Sequence, residues 1–354
     1  MKKVAICLLL ISGLGLSYPT AQTPSGAQGA QQGPGAAPPP TPPPVDKPVM
    51  RLDPALDKII SPDAKLEILK DDYFNFTEGP AWMPQGFLVF SDIPENKIYK
   101  WDPKSGLSVF LEKAGLTTAT PEEFKAHGGG RLLGSNGLAV DRQGRLIVCS
   151  HGDRILWRLE KDGRRTILAD TFEGKQLNGP NDLTVKSDGS IYFTDRGSGL
   201  EGGQSSPLKL LPTAVMRWKD GKLDRLAVDD GANGISLSPD EKHLYVISLA
   251  ARKIDRYAVK PDGTLGERQI GFIDMSQDKA RGGPDGMEVD RSGNIVSVGP
   301  GGIWIVSPAG KLLGKILLPK NAANLTFGDA DGKGLYITAG TSLYRIQLAA
   351  RASR

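Results

Sequence analysis

One phrase recurs six times along this chain, and it restricts the possible folds more than any other feature. The phrase opens on a small polar or acidic residue, often followed by glycine. It then runs through an apolar-x-apolar strand, turns on Asp or Gly, and returns along a second apolar strand. Its copies start at Glu78 (EGPAWMPQGFLVFSD), Asn136 (NGLAVDRQGRLIVCS), Asn181 (NDLTVKSDGSIYFTD), Asn233 (NGISLSPDEKHLYVIS), Asp285 (DGMEVDRSGNIVSVG) and Asn324 (NLTFGDADGKGLYITAG). Alternating stretches such as Leu138-Ala139-Val140 and Leu146-Ile147-Val148, joined by Asp141-Arg142-Gln143-Gly144, have the pattern of a β-hairpin. Two further strand-like pieces follow each copy, for example residues 155–159 and 165–168, which completes a four-stranded blade. The copies are spaced 58, 45, 52, 52 and 39 residues apart, the length of a propeller blade.

The expected fold is therefore all-β, a six-bladed β-propeller. An open array would expose two strand edges, so the segments 65–69 and 342–348 are expected to pair and close the ring. A β-sandwich with coincidental Asp-Gly turns is the competing all-β reading.

The N-terminus does not belong to this pattern. Lys2 and Lys3 precede an apolar run too short to span a bilayer, and a cut after Ala21 would leave residues 1–21 as a signal peptide. An uncleaved anchor is the alternative. Residues 22–45 are rich in Pro, Gly and Ala and cannot bury a core, so they read as a disordered linker. The propeller is assigned to residues 46–354, and the protein is expected in the periplasm or secreted.

Charge and cysteine content exclude several partners. The formal charge of +4 falls to +2 without Lys2 and Lys3, and no basic stripe suggests nucleic acid. Cys149 is the one cysteine beyond the signal segment, so neither an internal disulfide nor a thiolate metal cluster can form. No membrane contact beyond the signal is expected, and the assembly is expected to be a monomer or a weak homodimer.

The first residues of the phrases carry the functional signal. Glu78, Asn136, Asn181, Asn233, Asp285 and Asn324 all bear side-chain oxygen and share one register. The innermost strand of each blade lines the axis, so these positions should form a ring at one end of the channel. Any one of them could merely satisfy a turn, but six in phase, with Glu at a place turn propensity would not select, point to a central metal site. Hard oxygen donors with two carboxylates suit Ca²⁺, or Mg²⁺ or Mn²⁺ with waters retained. His127, His151 and His243 show no paired ligand spacing, which argues against a histidine zinc site. The expected cofactor is Ca²⁺, with Mg²⁺, Mn²⁺ or Zn²⁺ as substitutes.

At these residues the chain resembles the gluconolactonase, regucalcin and senescence-marker-protein family, and its bacterial exported branch in particular. The matching stretches include Glu78-Gly79-Pro80-Ala81-Trp82, Leu177-Asn178-Gly179-Pro180-Asn181-Asp182, Asn233-Gly234 and Pro284-Asp285-Gly286, within coverage from about residue 65 to 348. The resemblance implies Glu78, Asn233 and Asp285 as metal ligands, with Asn181 as a fourth ligand or a substrate contact. Gly179 stands where regucalcin-like animal members carry an Arg.

Lactone hydrolysis needs a nucleophilic water and a group to hold charge developing on the carbonyl oxygen. Asp285 or Asp182 is the expected general base, with Asp285 preferred because it sits at the ion. Asn136, Asn181 and His151 are placed on the substrate side, His151 either as a proton donor or as a solvated loop histidine. Cys149 reads as a buried inert thiol. No Gly-x-Ser-x-Gly elbow is present, which argues against a serine esterase. Two inserts, residues 117–130 and 196–214, are expected to frame the mouth. The rival readings are a non-catalytic propeller that binds sugar or protein, and a sugar or strictosidine-type enzyme on a similar propeller.

Overall fold

Period-two alternation folds every phrase into the two inner strands of an antiparallel blade. The computed structural model describes residues 46–352; the expected signal peptide and linker lie outside the described residues. Blade one comprises Thr77–Met83, Phe87–Asp92, Lys97–Asp102 and Gly106–Glu112. Blade two comprises Ser135–Val140, Leu146–Ser150, Ile155–Leu159 and Arg165–Ala169, and blade three Pro180–Val185, Ile191–Asp195, Ala214–Lys219 and Lys222–Val228. Blade four comprises Ala232–Leu237, His243–Ser248, Lys253–Val259 and Leu265–Asp274. Blade five is built on Met287–Val289, Ile295–Gly299, Gly302–Val306 and Leu312–Leu317.

Blade six holds Asn324–Gly328, Gly334–Ala339 and Ser342–Gln347, and its outer strand is Leu66–Lys70 from the other end of the described chain. Leu66 pairs with Ile346 and Ile68 with Tyr344, so the expected closure is present. The sequence did not reveal a fifth strand on blade five, Val49–Arg51, which pairs with Leu312–Leu317 through Val49 and Ile316. The following turn, Pro54–Lys58, places Leu56 in the core between blades five and six.

Each inner strand packs against the inner strands of its two neighbours, and the sixth returns to the first. The apolar core is divided accordingly among the six blade interfaces. Met83, Val89, Leu138 and Trp157 fill the one between blades one and two. Phe90, Tyr99, Tyr336 and Leu343 fill the one between one and six, across the closure. Packing flat faces against neighbours makes the axial strand entries one of the places where polar side chains can gather.

The entry to the inner strand sets what faces that axis. In blades one to four its pairing slips between Glu78 and Ala81, Ser135 and Leu138, Pro180 and Leu183, and Ala232 and Ile235. In blades two to four the bulge leaves Asn136, Asn181 and Asn233 out of the ladder and re-aims them, whereas Glu78 still pairs with Ser91 and the slip falls on Gly79 and Pro80. The glycine that follows keeps the neighbouring backbone close: a Cβ on Gly234 would lie 2.0 Å from the Asp285 carbonyl oxygen. Gly79 meets Asn136 in the same way and also holds φ at +45°.

Candidate functional site

Six phrase entries, four of them bulged, converge on one polar ring. Glu78, Asn136, Asn181, Asn233 and Asn324 are buried, whereas Asp285 keeps some exposed surface. Along one arc the side chains are linked in sequence. Asn136 Nδ2 donates to Asn181 Oδ1 at 3.0 Å, Asn181 Nδ2 to Asn233 Oδ1 at 2.5 Å, and Asn233 Nδ2 to Asp285 Oδ1 at 2.6 Å. On the other side the Glu78 carboxylate accepts from Gly79 N at 2.8 Å and from the Asn324 side chain. The structure thus brings all six ring residues of the sequence analysis together.

Hydroxyls from the returning strands fix the backbone of this ring. Ser91 Oγ of blade one donates to the Asn136 carbonyl of blade two at 2.8 Å, and Thr194 Oγ1 of blade three to the Asn233 carbonyl of blade four at 2.8 Å. The residues after them hold the approach to the ring. Asp92 accepts from the amides of Asn75 and Phe76, and Asp195 from those of Asn178 and Gly179. The Ser-Asp and Thr-Asp pairs that look like chemical motifs are therefore structural fasteners.

Burial dominates the electrostatics. It raises Glu78 well above the usual carboxylate range, and the neighbouring Asp285 charge adds to the effect. Asp285 is raised to about 6 by burial, against the pull of Arg196 and the Asn233 hydrogen bond. Asp182 is raised to about 7 by burial, although its oxygens accept from the Leu183 and Ile235 amides at 3.0 and 3.3 Å. The carboxyls of Glu78 and Asp285, contributed by blades one and five, act directly on one another.

His151 is fully buried, which overturns the solvated-loop alternative. Its Nε2 lies 3.3 Å from Asn136 Nδ2, beside the ring. Burial and then the Arg196 charge lower its pKa to about 4, so the imidazole is neutral at physiological pH. Cys149 is buried and its thiol is pushed up by burial, as an inert core residue requires.

Arg196 is the site residue that the sequence reading missed. It follows its ring residue Asn181 by 15 positions (196 − 181), as His151 follows Asn136 (151 − 136). That shared offset was the available signal. Its backbone N–H donates to the Gly179 carbonyl at 3.2 Å, so Arg196 is the residue across the ladder from that glycine.

The two inserts meet above this end. Gly130 N donates to the Gly199 carbonyl at 2.8 Å and Glu201 N to the Gly128 carbonyl at 2.9 Å. Together with Phe76 they enclose a cavity of about 830 Å³, lined by Leu132, Leu133 and Leu200 among others. No ring residue lines this cavity, although Phe76, Leu133 and Ser198 lie within three residues of Glu78, Asn136 and Arg196.

A metal can be tested against this donor set. The described residues hold no group of three or more His, Cys, Asp and Glu placed for a metal ion. What the ring offers is two carboxylates and four amides, an all-oxygen set that suits a hard cation. Two mutually repelling buried carboxyls facing one guanidinium also leave negative charge that a divalent ion would offset.

A sequence model of the SMP-30/Gluconolactonase/LRE-like region matches residues 76–341. A gluconolactonase of Zymomonas mobilis is 34% identical over 311 residues, covering 84% of this chain and 85% of its own. A solved gluconolactonase from Xanthomonas campestris is 34% identical with a TM-score of 0.71, covering 85% of this chain and 94% of that one. A calcium-binding regucalcin from Agrobacterium tumefaciens shares the fold, with a TM-score of 0.63 at 18% identity over 81% of this chain and 95% of that one.

Proposed function

This chain belongs to the SMP-30/gluconolactonase/LRE-like family, and on that premise we propose that it hydrolyses a small sugar lactone such as glucono-1,5-lactone with a divalent cation in the axial ring. The observation that carries this reading is that Glu78 and Asp285, whose charges act on one another, belong to one ring with four amide side chains. Glu78, Asn181, Asn233 and Asp285 would hold the ion, Ca²⁺ first, with Mg²⁺, Mn²⁺ or Zn²⁺ as substitutes. When bound it supplies positive charge that polarises a carbonyl oxygen.

The remaining work falls to the side chains around it. Asp285 is the ring member with exposed surface, and this supports it as the base that takes a proton from the attacking water. Asp182 is more enclosed, with both oxygens engaged by backbone amides, which supports a supporting role beneath the ring. Asn136, Asn181 and the neutral His151 present polar atoms to the hydroxyls of a sugar. The N-terminal pattern of Lys2 and Lys3 before a short apolar run supports export to the periplasm or beyond.

The test is proton release from glucono-1,5-lactone with spontaneous hydrolysis subtracted, comparing Ca²⁺ with a chelator. Activity that the chelator abolishes and Ca²⁺ restores is expected, and Asp285→Ala should lose both turnover and tight Ca²⁺ binding. Sugar binding without turnover would establish the binding-propeller alternative instead.

A further inference from the structure

Arg196 occupies a place that the fold alone does not explain. Its side chain is rooted at the end of the second strand of blade three and is only 8% exposed. Its charge nevertheless acts on Glu78 of blade one, His151 of blade two and Asp285 of blade five. Two of these groups are ring members and the third lies beside the ring, so the Arg196 charge is felt at the axial site.

Buried guanidinium groups are ordinarily locked by hydrogen bonds, because each unmet N–H costs desolvation energy. Arg196 departs from this rule. Its Nε has no hydrogen-bond partner, and among the described residues it forms no ion pair within 4.0 Å. Its charge acts on two carboxyls, yet it forms an ion pair within 4.0 Å with neither, which leaves its N–H donors free for an incoming acceptor. The ring itself is rich in acceptors, and a lactone carbonyl needs donors.

Building on the lactonase reading above, we infer that Arg196 is a catalytic residue whose guanidinium receives the lactone carbonyl oxygen and later the product carboxylate. Water oxygen bonds to the carbonyl carbon while its proton passes to the carboxylate base. The carbonyl π electrons move onto the oxygen facing Arg196, where a preorganised cation stabilises them. Collapse re-forms the C=O bond and breaks the bond to the ring oxygen, which takes the proton back as a hydroxyl, and the carboxylic acid so formed releases the second water proton to solvent. The resulting sugar-acid carboxylate matches the planar fork of the guanidinium.

Arg196→Met and Arg196→Lys separate this role from that of a distant counter-ion. At saturating Ca²⁺ the Met variant should lose about 10²–10³-fold in kcat, with KM much less affected and the Lys variant intermediate. Inhibition by gluconate should weaken at least tenfold. A counter-ion role predicts tighter Ca²⁺ binding with unchanged kcat and unchanged gluconate inhibition, and that outcome overturns the inference. Should the Met variant fail to fold by circular dichroism, wild-type kcat and gluconate inhibition in the Lys variant would overturn it equally. If the wild type hydrolyses no lactone, the proposed function fails on its own account. Gluconate titration by calorimetry then still decides on Arg196: binding lost in the variant supports the carboxylate site, and equal binding rejects it.

Discussion

Asn233 Nδ2 and Asp285 Oδ1, from blades four and five, are joined by a 2.6 Å hydrogen bond at the axis of the propeller. The bond holds a carboxylate raised to about 6 in a fixed orientation, and that carboxylate is the ring member with exposed surface. Orientation of this carboxylate therefore depends on a neighbouring blade.

Asn233→Ala removes this donor together with a ring oxygen. Losing such a supporting contact typically costs 10–100-fold in metal affinity or activity. We expect a drop of about that size in both Ca²⁺ affinity and kcat/KM for glucono-1,5-lactone, with the far-ultraviolet dichroism unchanged. Wild-type values for both would show that Asn233 plays no part in the site.

Gly234→Ala tests the close approach of adjacent inner strands. The added Cβ would lie 2.0 Å from the Asp285 carbonyl oxygen, and backbone cannot yield as a flexible side chain does. Overpacking of this kind costs about 1–3 kcal/mol. Urea denaturation should register that loss, and an unchanged midpoint would mean that the blades are less tightly apposed than the geometry requires.

Asp195 supplies a pH dependence away from the ring. Burial raises it from 3.8 to about 6 even though the Asn178 and Gly179 amides favour its charged form. The folded state therefore holds this proton at pH values where the unfolded chain has released it. Stability from this group is fully present below about pH 4 and is lost as pH rises through 6, by up to about 3 kcal/mol. Replacing Asp195 with Asn removes the titration. The wild type should thus lose stability relative to the variant between pH 4 and pH 7 in urea melts, and a pH-independent difference would contradict the assignment.

Asp153 anchors the first insert. Its carboxylate accepts from Thr117 N and Oγ1 and from Thr118 N and Oγ1, at 2.6 to 3.3 Å. Asp153→Ala should release the insert locally without unfolding the blades. Trypsin should then cut at the exposed Lys125 or Arg131 several-fold faster, with a much smaller change in melting temperature. Equal cleavage rates would assign the ordering of this insert to its contacts with residues 199–201.

Much of this protein is legible in one dimension, because a repeat states its own geometry. Period-two alternation, a turn containing Asp or Gly in every phrase and an oxygen-bearing residue at the head of each phrase determined the blade count, the closure of residues 66–70 onto 342–347 and the membership of the ring. Each of those features lies within a single phrase or at a fixed offset from it. The tertiary structure decided what depends on distances between blades. It turned the Ser-Asp and Thr-Asp pairs into fasteners, left Asp285 as the ring member with accessible surface, buried His151, joined the two inserts and buried Arg196 with its Nε unpartnered. No spacing in the sequence encodes those outcomes. They arise when six separately specified hairpins are forced around one centre, where burial and mutual charge are set by residues far apart in the chain.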